Sequence, residues 1–215
     1  MIPVGDENRA GRITPIVTFA LIAANVVVFL LELAGGEAFV IEWAFVPARF
    51  MADPVSQVAT LFTAMFMHAG ELHLIGNMLY LWIFGDNVED RFGHSMFLVF
   101  YLITGLAATF AQLAFNAGSN IPNLGASGAI AGVLGAYLVL FPQGRVFVRQ
   151  GRGVAPVPAL VAIGFWFLLQ LFSGIGSLGG PDTGGVAYMA HIGGFVAGFV
   201  LTYLFGRGRS MRLSR

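Results

Sequence analysis

The sequence predicts an all-α membrane protein, a six-transmembrane-helix bundle with a long interfacial first loop. Three observations predict it. Of the 215 residues, 57% are hydrophobic and only 10% are charged, whereas soluble domains carry roughly 25% charged residues. The apolar residues gather into six runs, each near the length of about 20 residues that lets a helix cross the hydrocarbon core. All 11 basic residues are Arg, and six crossings would put every one but Arg49 on the same side.

The first run spans Pro15 to Leu33 and is interrupted only by Asn25 and Glu32. Met1 to Thr14 mixes Asp6, Glu7, Arg9 and Arg12, with no clear small-residue cleavage site after the run. Residues 1–14 therefore read as a cytoplasmic tail, and the run as a retained span rather than a cleaved signal. Residues 34–70 are apolar in places but broken by Glu42, Pro47, Arg49, Asp53 and Pro54. A helix crossing there would bury charge and lose backbone hydrogen bonds that lipid cannot replace, so this stretch reads as an interfacial loop.

The remaining spans read as Glu71 to Val88, Ser95 to Asn116, Ala126 to Phe141, Ala155 to Ile175 and Val186 to Phe205. Glu89 and Arg91 read by default as a solvated pair in the turn after the second span. Ser177 to Gly185 is a Gly-rich loop by composition. Residues 207–215 form a basic tail. Both termini then share a side with Arg91, Arg145, Arg149 and Arg152, and Arg-rich loops stay cytoplasmic. The chain reads as an integral multi-pass protein of the plasma membrane with cytoplasmic termini.

Polar groups at membrane depth are costly and mark function. His73, Asn77, Ser127 and His191 stand out. Counted from the cytoplasmic ends of their runs, Ser127 lies about 21 Å deep and His191 about 22 Å deep at roughly 1.5 Å per residue. Both sit several ångströms below the outer surface of a core roughly 30 Å thick. Gly128, Gly132 and Gly135 follow Ser127, and Ala190, Gly194 and Gly198 recur every four residues beside His191. Such small-residue faces let membrane helices touch backbone to backbone.

Serine is a weak nucleophile until a base takes its proton, and histidine is the natural base near neutral pH. Ser127 also opens its helix, where free backbone N–H groups and the helix dipole favour a developing anion. His73 and Asn77, four residues apart, share a helix face and can donate to that anion. His68 lies about 140° from His73 on an ideal helix, so the two are not paired as metal ligands. No HExxH, acidic pair or Cys cluster points to a metal, and nothing points to a cofactor. No basic run suggests nucleic acid. A small transporter would need internal symmetry and a polar path through both leaflets, and neither is seen.

These blocks resemble the rhomboid family of intramembrane serine proteases. His68-Ala-Gly-Glu-Leu-His73-Leu-Ile-Gly-Asn77 looks like its second-helix signature, and Gly125-Ala126-Ser127-Gly128 like its Gly-x-Ser motif. Ala190-His191-Ile-Gly-Gly194 looks like its Ala-His-x-x-Gly motif, and Glu89-Asp90-Arg91 like its Glu-x-Arg turn. The similarity covers about Pro15 to Phe205. It implies a rhomboid-like protease domain over residues 15–206, with a Ser127–His191 catalytic dyad. It also implies an oxyanion hole from the Ser127 N–H, His73 and Asn77, with support from His68, Gly125, Gly128 and Gly194. The substrates implied are transmembrane segments of other proteins in the bilayer, with a mobile loop at Ser177 to Gly185. Two departures stand out. Where many members place a Tyr against the catalytic His, this chain has Ala131. Ala59-Thr60 stands near the position of a common Trp-Arg pair.

Overall fold

The computed structural model describes residues 2–7, 13–151, 153–177 and 186–206. Six long helices carry the fold. They are α1 (Ile16–Trp43), α4 (Glu71–Phe92), α5 (His94–Phe115), α6 (Ser127–Leu140), α7 (Ala159–Ser177) and α8 (Tyr188–Leu201). Between α1 and α4 lie two short helices, α2 (Pro47–Ala52) and α3 (Thr60–Thr63), and a 3-10 turn at Ala64–Phe66. By length and hydropathy, Ile16–Trp43, His94–Phe115 and Ala159–Gly176 are each able to cross a membrane, and Ser127–Leu140 and Tyr188–Leu204 are shorter apolar helices.

The centre of the bundle is α6. Every residue from Gly128 to Tyr137 is buried, so this helix is apolar all round and hidden from its surroundings. It is clasped by α8 through missing side chains. A β-carbon on Gly194 would overlap the Gly128 carbonyl, and one on Gly198 would overlap the Gly132 carbonyl. On another side, a β-carbon on Gly132 would collide with Thr104 of α5. The small-residue faces seen in the sequence thus form the α6–α8 seam.

The all-α expectation needs correcting. A three-stranded antiparallel sheet, β1 (Ile2–Asp6), β2 (Arg145–Gln150) and β3 (Gly153–Pro158), joins the N-terminal segment to the α6–α7 connection. The signal was present in Arg145-Val-Phe-Val-Arg149, whose Val146 and Val148 alternate inward and are buried. Gly151 follows β2 with φ +58, the left-handed value that tight connections between antiparallel strands use. Pro156 and Pro158 lack an N–H, which suits β3 to the sheet edge. As a result the fifth long helix starts at Ala159 rather than Ala155.

Asp6, at the end of β1, accepts hydrogen bonds from the Tyr137 hydroxyl (2.7 Å) and the Asn87 amide (3.0 Å). Burial outweighs these bonds and pushes its carboxyl up from 3.8 to about 6. A raised folded-state value means that the proton favours the docked strand. That stabilisation is complete below the unfolded value and is lost as pH rises through about 6. Hydrogen exchange of the β1 amides, corrected for intrinsic rates, should therefore be faster near pH 7 than near pH 5. Asp6→Asn should remove that dependence, and an unchanged dependence in the variant would rule Asp6 out as its source.

The first helix also outruns its expected end. It continues past Ala34 to Trp43 with a kink at Gly36 (φ 59, ψ −150), a conformation that costs glycine little. The chain then turns under Arg49, whose guanidinium donates to the carbonyls of Ile41 and Ala44 at the end of α1. The loop is pinned to the strand-like approach to α6. Asn123 N–H donates to the Phe45 carbonyl (2.7 Å), Ala48 N–H to Ser119 (2.9 Å) and Gly125 N–H to Ala64 (2.9 Å).

Glu89 is not a solvated turn residue. It is fully buried, and its carboxylate accepts from the N–H groups of Val17 (2.9 Å) and Thr18 (2.7 Å) and from the Thr18 hydroxyl (2.7 Å). It caps α1 from another helix, supplying the acceptor that the first-turn N–H groups need. Arg91 lies over the Phe141 ring, 5.0 Å from its centroid. Of the Gly-rich connection expected at Ser177–Gly185, all but Ser177 lies outside the described residues. So do Arg9, Arg12 and the 207–215 tail.

Candidate active site

Ser127 is the first residue of α6, and His191 is the fourth residue of α8. Their side chains meet, with His191 Nε2 standing 2.7 Å from Ser127 Oγ. The α6–α8 seam sets this distance, since Gly128 and Gly194 flank the pair and allow the backbones to close. The start of α8 is fixed in turn by Gln112 of α5, whose Oε1 accepts from the Ala190 N–H at 3.2 Å.

On its other side the His191 ring meets α7. Its Nδ1 is 2.7 Å from Gln170 Oε1, and the Trp166 ring lies 5.8 Å away, tilted by 35°. The sequence left open what replaces a Tyr at position 131. Ala131 is buried inside α6, and these contacts to His191 come from α7. Gln170 could have been noticed, because it is the lone amide in the fifth apolar run, and intramembrane polar groups need partners.

His73 reaches the same place from α4. Gly125 has φ +135, a left-handed value that favours glycine. A β-carbon there would stand 2.9 Å from His73 Cε1, 3.1 Å from His73 Nε2 and 3.5 Å from Ser127 Oγ. Gly125 thus lets the imidazole lie close to the serine. The Ala69 N–H donates to His73 Nδ1 at 3.3 Å, so the ring proton resides on Nε2, the nitrogen beside Gly125. One helical turn on, Asn77 is buried, and its Nδ2 has no hydrogen-bond partner among the described residues. Buried donors without partners are rare in folded proteins.

His68 sits behind His73 rather than far round a helix from it. The rings lie edge to face with centroids 5.1 Å apart. Helical angles do not apply here, because α4 begins only at Glu71. The His68 N–H donates to the buried carboxylate of Glu32 (3.0 and 3.2 Å). Burial, and then the neighbouring His73, hold the His68 imidazole down at about 4, so it is neutral at physiological pH. Among the described residues no group of three or more His, Cys, Asp or Glu side chains could hold a metal ion. A small cleft opens beside Ser127, lined by Ala64, Met65, Ala108, Gly125 and Ala190.

Comparison with known proteins adds the family. Residues 55–208 match the model of the Rhomboid domain. The chain is 33% identical over 194 residues to Rhomboid protease GluP of Bacillus subtilis, covering 87% of this chain and 35% of that protein. It is 34% identical over 149 residues to RHOMBOID-like protein 7 of Arabidopsis thaliana, covering 69% and 43%. It is 27% identical over 205 residues to Rhomboid protease GlpG of Salmonella paratyphi A, covering 92% and 64%. The chain thus spans about one third to two thirds of the length of these relatives. With the domain match extending over most of its residues, and helices of the apolar character such a protein needs, this chain belongs to the rhomboid family.

Proposed function

We propose that this protein is an intramembrane serine endopeptidase that cuts transmembrane segments of other membrane proteins near the outer surface. The observation that carries the reading is the 2.7 Å contact between Ser127 Oγ and His191 Nε2 at the mouth of the central helix. In the forward step Oγ attacks the scissile carbonyl carbon while its proton passes to Nε2. The proton then moves to the leaving amine, giving an acyl-enzyme that water hydrolyses by the reverse route. The Ser127 N–H, the His73 Nε2–H and the unpartnered Asn77 amide are the donors for the oxyanion. The cleft beside Ser127 has Ala64, Met65 and Gly125 in its walls and suits a small side chain at the cleavage point.

Depth supports the same reading. The 14 residues of α6 extend about 21 Å at roughly 1.5 Å per residue. A helix of that length anchored at the cytoplasmic face ends inside the bilayer, so Ser127 sits below the outer surface in a recess. In this layout the six long helices cross the plasma membrane and residues 1–14 and 207–215 face the cytoplasm. Residues 15–206 form the protease domain. Met51, Val55, Val58 and Phe62, all exposed, form the apolar side of an interfacial first loop. Reporter fusions after Arg215 and near Gly144 should read cytoplasmic, and fusions between residues 177 and 185 external. An external C-terminus would overturn the layout.

The activity is tested by incubating the purified chain with a panel of single-span proteins beside Ser127→Ala. Cleavage within the outer part of a span by the unmodified protein alone is the expected result, and equal products from both would overturn the reading. In the same assay His73→Ala and Asn77→Ala should each lower kcat. Loss of one oxyanion donor costs on the order of 10²–10³ in a soluble serine protease, and the Ser127 N–H remains here to soften the loss. Unchanged kcat in both variants would reduce the two residues to packing.

A further inference from the structure

The base in this site has a second hydrogen-bond partner, and it comes from a helix that carries none of the family motifs. We propose that Gln170 is a positioning residue for His191, holding the imidazole in the tautomer and orientation that activate Ser127. The proposal rests on the Ser127–His191 reading and extends it from a dyad to a chain of three.

A neutral imidazole has one donor nitrogen and one acceptor nitrogen. For His191 to accept the Ser127 proton, Nε2 must be bare and Nδ1 must carry the hydrogen. Nδ1 then needs an acceptor, and Gln170 Oε1 stands 2.7 Å from it. The amide oxygen fits this task in a place where a carboxylate would bring a charge into the membrane. Its own geometry is fixed by α7, where Trp166 lies four residues earlier and so on the same helix face. That indole covers the His191 ring at 5.8 Å. Trp166 thus limits tilting of the ring while Gln170 sets its rotation and its tautomer. Among the described residues the hydrogen-bond partners of the His191 ring are Ser127 and Gln170. The titratable side chain acting on it among the described residues is His73 of α4. No carboxylate among the described residues is bonded to Nδ1. The missing Tyr at position 131 is offset from a different helix, and by a polar contact as well as a ring.

The test compares Gln170→Leu, Gln170→Glu, Ser127→Ala and the unmodified full chain, purified in detergent, using a cleaved single-span substrate and a fluorophosphonate probe. Gln170→Leu removes the acceptor at similar size. It should lower kcat and the labelling rate by about 10- to 100-fold, the usual cost of losing a group that orients a reactive one. KM should stay within about twofold, because no substrate contact is lost. Gln170→Glu keeps an acceptor and adds a charge that stabilises imidazolium. It should retain more activity than the Leu variant, with the acid limb of its kcat profile moved to higher pH. A residue that merely packs would move neither the limb nor the kcat-to-KM split. If Gln170→Leu also lowers the unfolding temperature, the limb of Gln170→Glu decides. Full kcat in Gln170→Leu, or an unmoved limb in Gln170→Glu, overturns the proposal. Should Ser127→Ala still cleave and label, the dyad itself is wrong, which is a separate failure.

Discussion

His191→Ala is expected to abolish covalent labelling of Ser127 while leaving the bundle folded. In the intact protein a fluorophosphonate or isocoumarin reagent should modify Ser127 alone, because its Oγ is the one serine oxygen bonded to an imidazole among the described residues. Ser95 and Ser173 should stay unlabelled, because neither is hydrogen-bonded to an imidazole among the described residues, and His94 beside Ser95 turns its Nδ1 to Glu89. Cleavage should fall on the order of 10⁴–10⁶-fold in either Ser127→Ala or His191→Ala, since members of such a unit lose most of its effect singly. In the intact protein activity should also decline on acidification, because an imidazolium cannot accept the serine proton. Mass spectrometry of the labelled chain settles the matter. Label on another serine, or full labelling in His191→Ala, would remove the pair from the mechanism.

The second large effect is on stability. Gly194→Leu and Gly198→Leu should each prevent assembly of the bundle or lower its unfolding temperature steeply. The obstacle in both cases is a backbone carbonyl, of Gly128 or Gly132, which cannot rotate away as a side chain can. Overpacking costs typically about 1–3 kcal/mol and more where the backbone must shift, and here two central helices would separate. Separation would also pull His191 from Ser127, so any folded remnant should be inactive. Gly76→Ala is the control, because a β-carbon there meets nothing within 4 Å. Thermal unfolding in detergent reads all three. Gly198→Leu melting with the unmodified protein would mean the seam is looser than its geometry indicates.

The positions of the long helices were legible because burial in lipid leaves a one-dimensional record. Apolar runs must be long enough to cross, and the ends of Ser127–Leu140 and His94–Phe115 fall within a residue or so of the expected spans. The depth of a residue along such a run follows from the fixed helical rise. Counting alone therefore set Ser127 and His191 at one level, and their side chains stand 2.7 Å apart. Spacing also exposed the Gly and Ala faces that form the seam. The signals that failed were those in which charge or loop composition was read locally. Glu89 looked solvated because it sits among Asp90 and Arg91, yet its carboxylate reaches another helix's N-terminus. The N-terminal segment looked like a free tail, although Ile2–Asp6 pairs with Arg145–Gln150.

By itself, then, the sequence determined the long apolar helices, the polar residues set within them, and the close-packing faces that let two of these helices touch. Each is a property of one segment and its surrounding lipid. Only the tertiary structure decided that Gln170 and Trp166 face His191, that His68 lies edge to face against His73, and that a sheet ties the N-terminal segment to the α6–α7 connection. The reason is physical. Depth is fixed within a helix by its own hydrogen bonds, whereas the rotation and lateral neighbours of that helix are set by many weak contacts with distant segments. No stretch of local sequence records that sum.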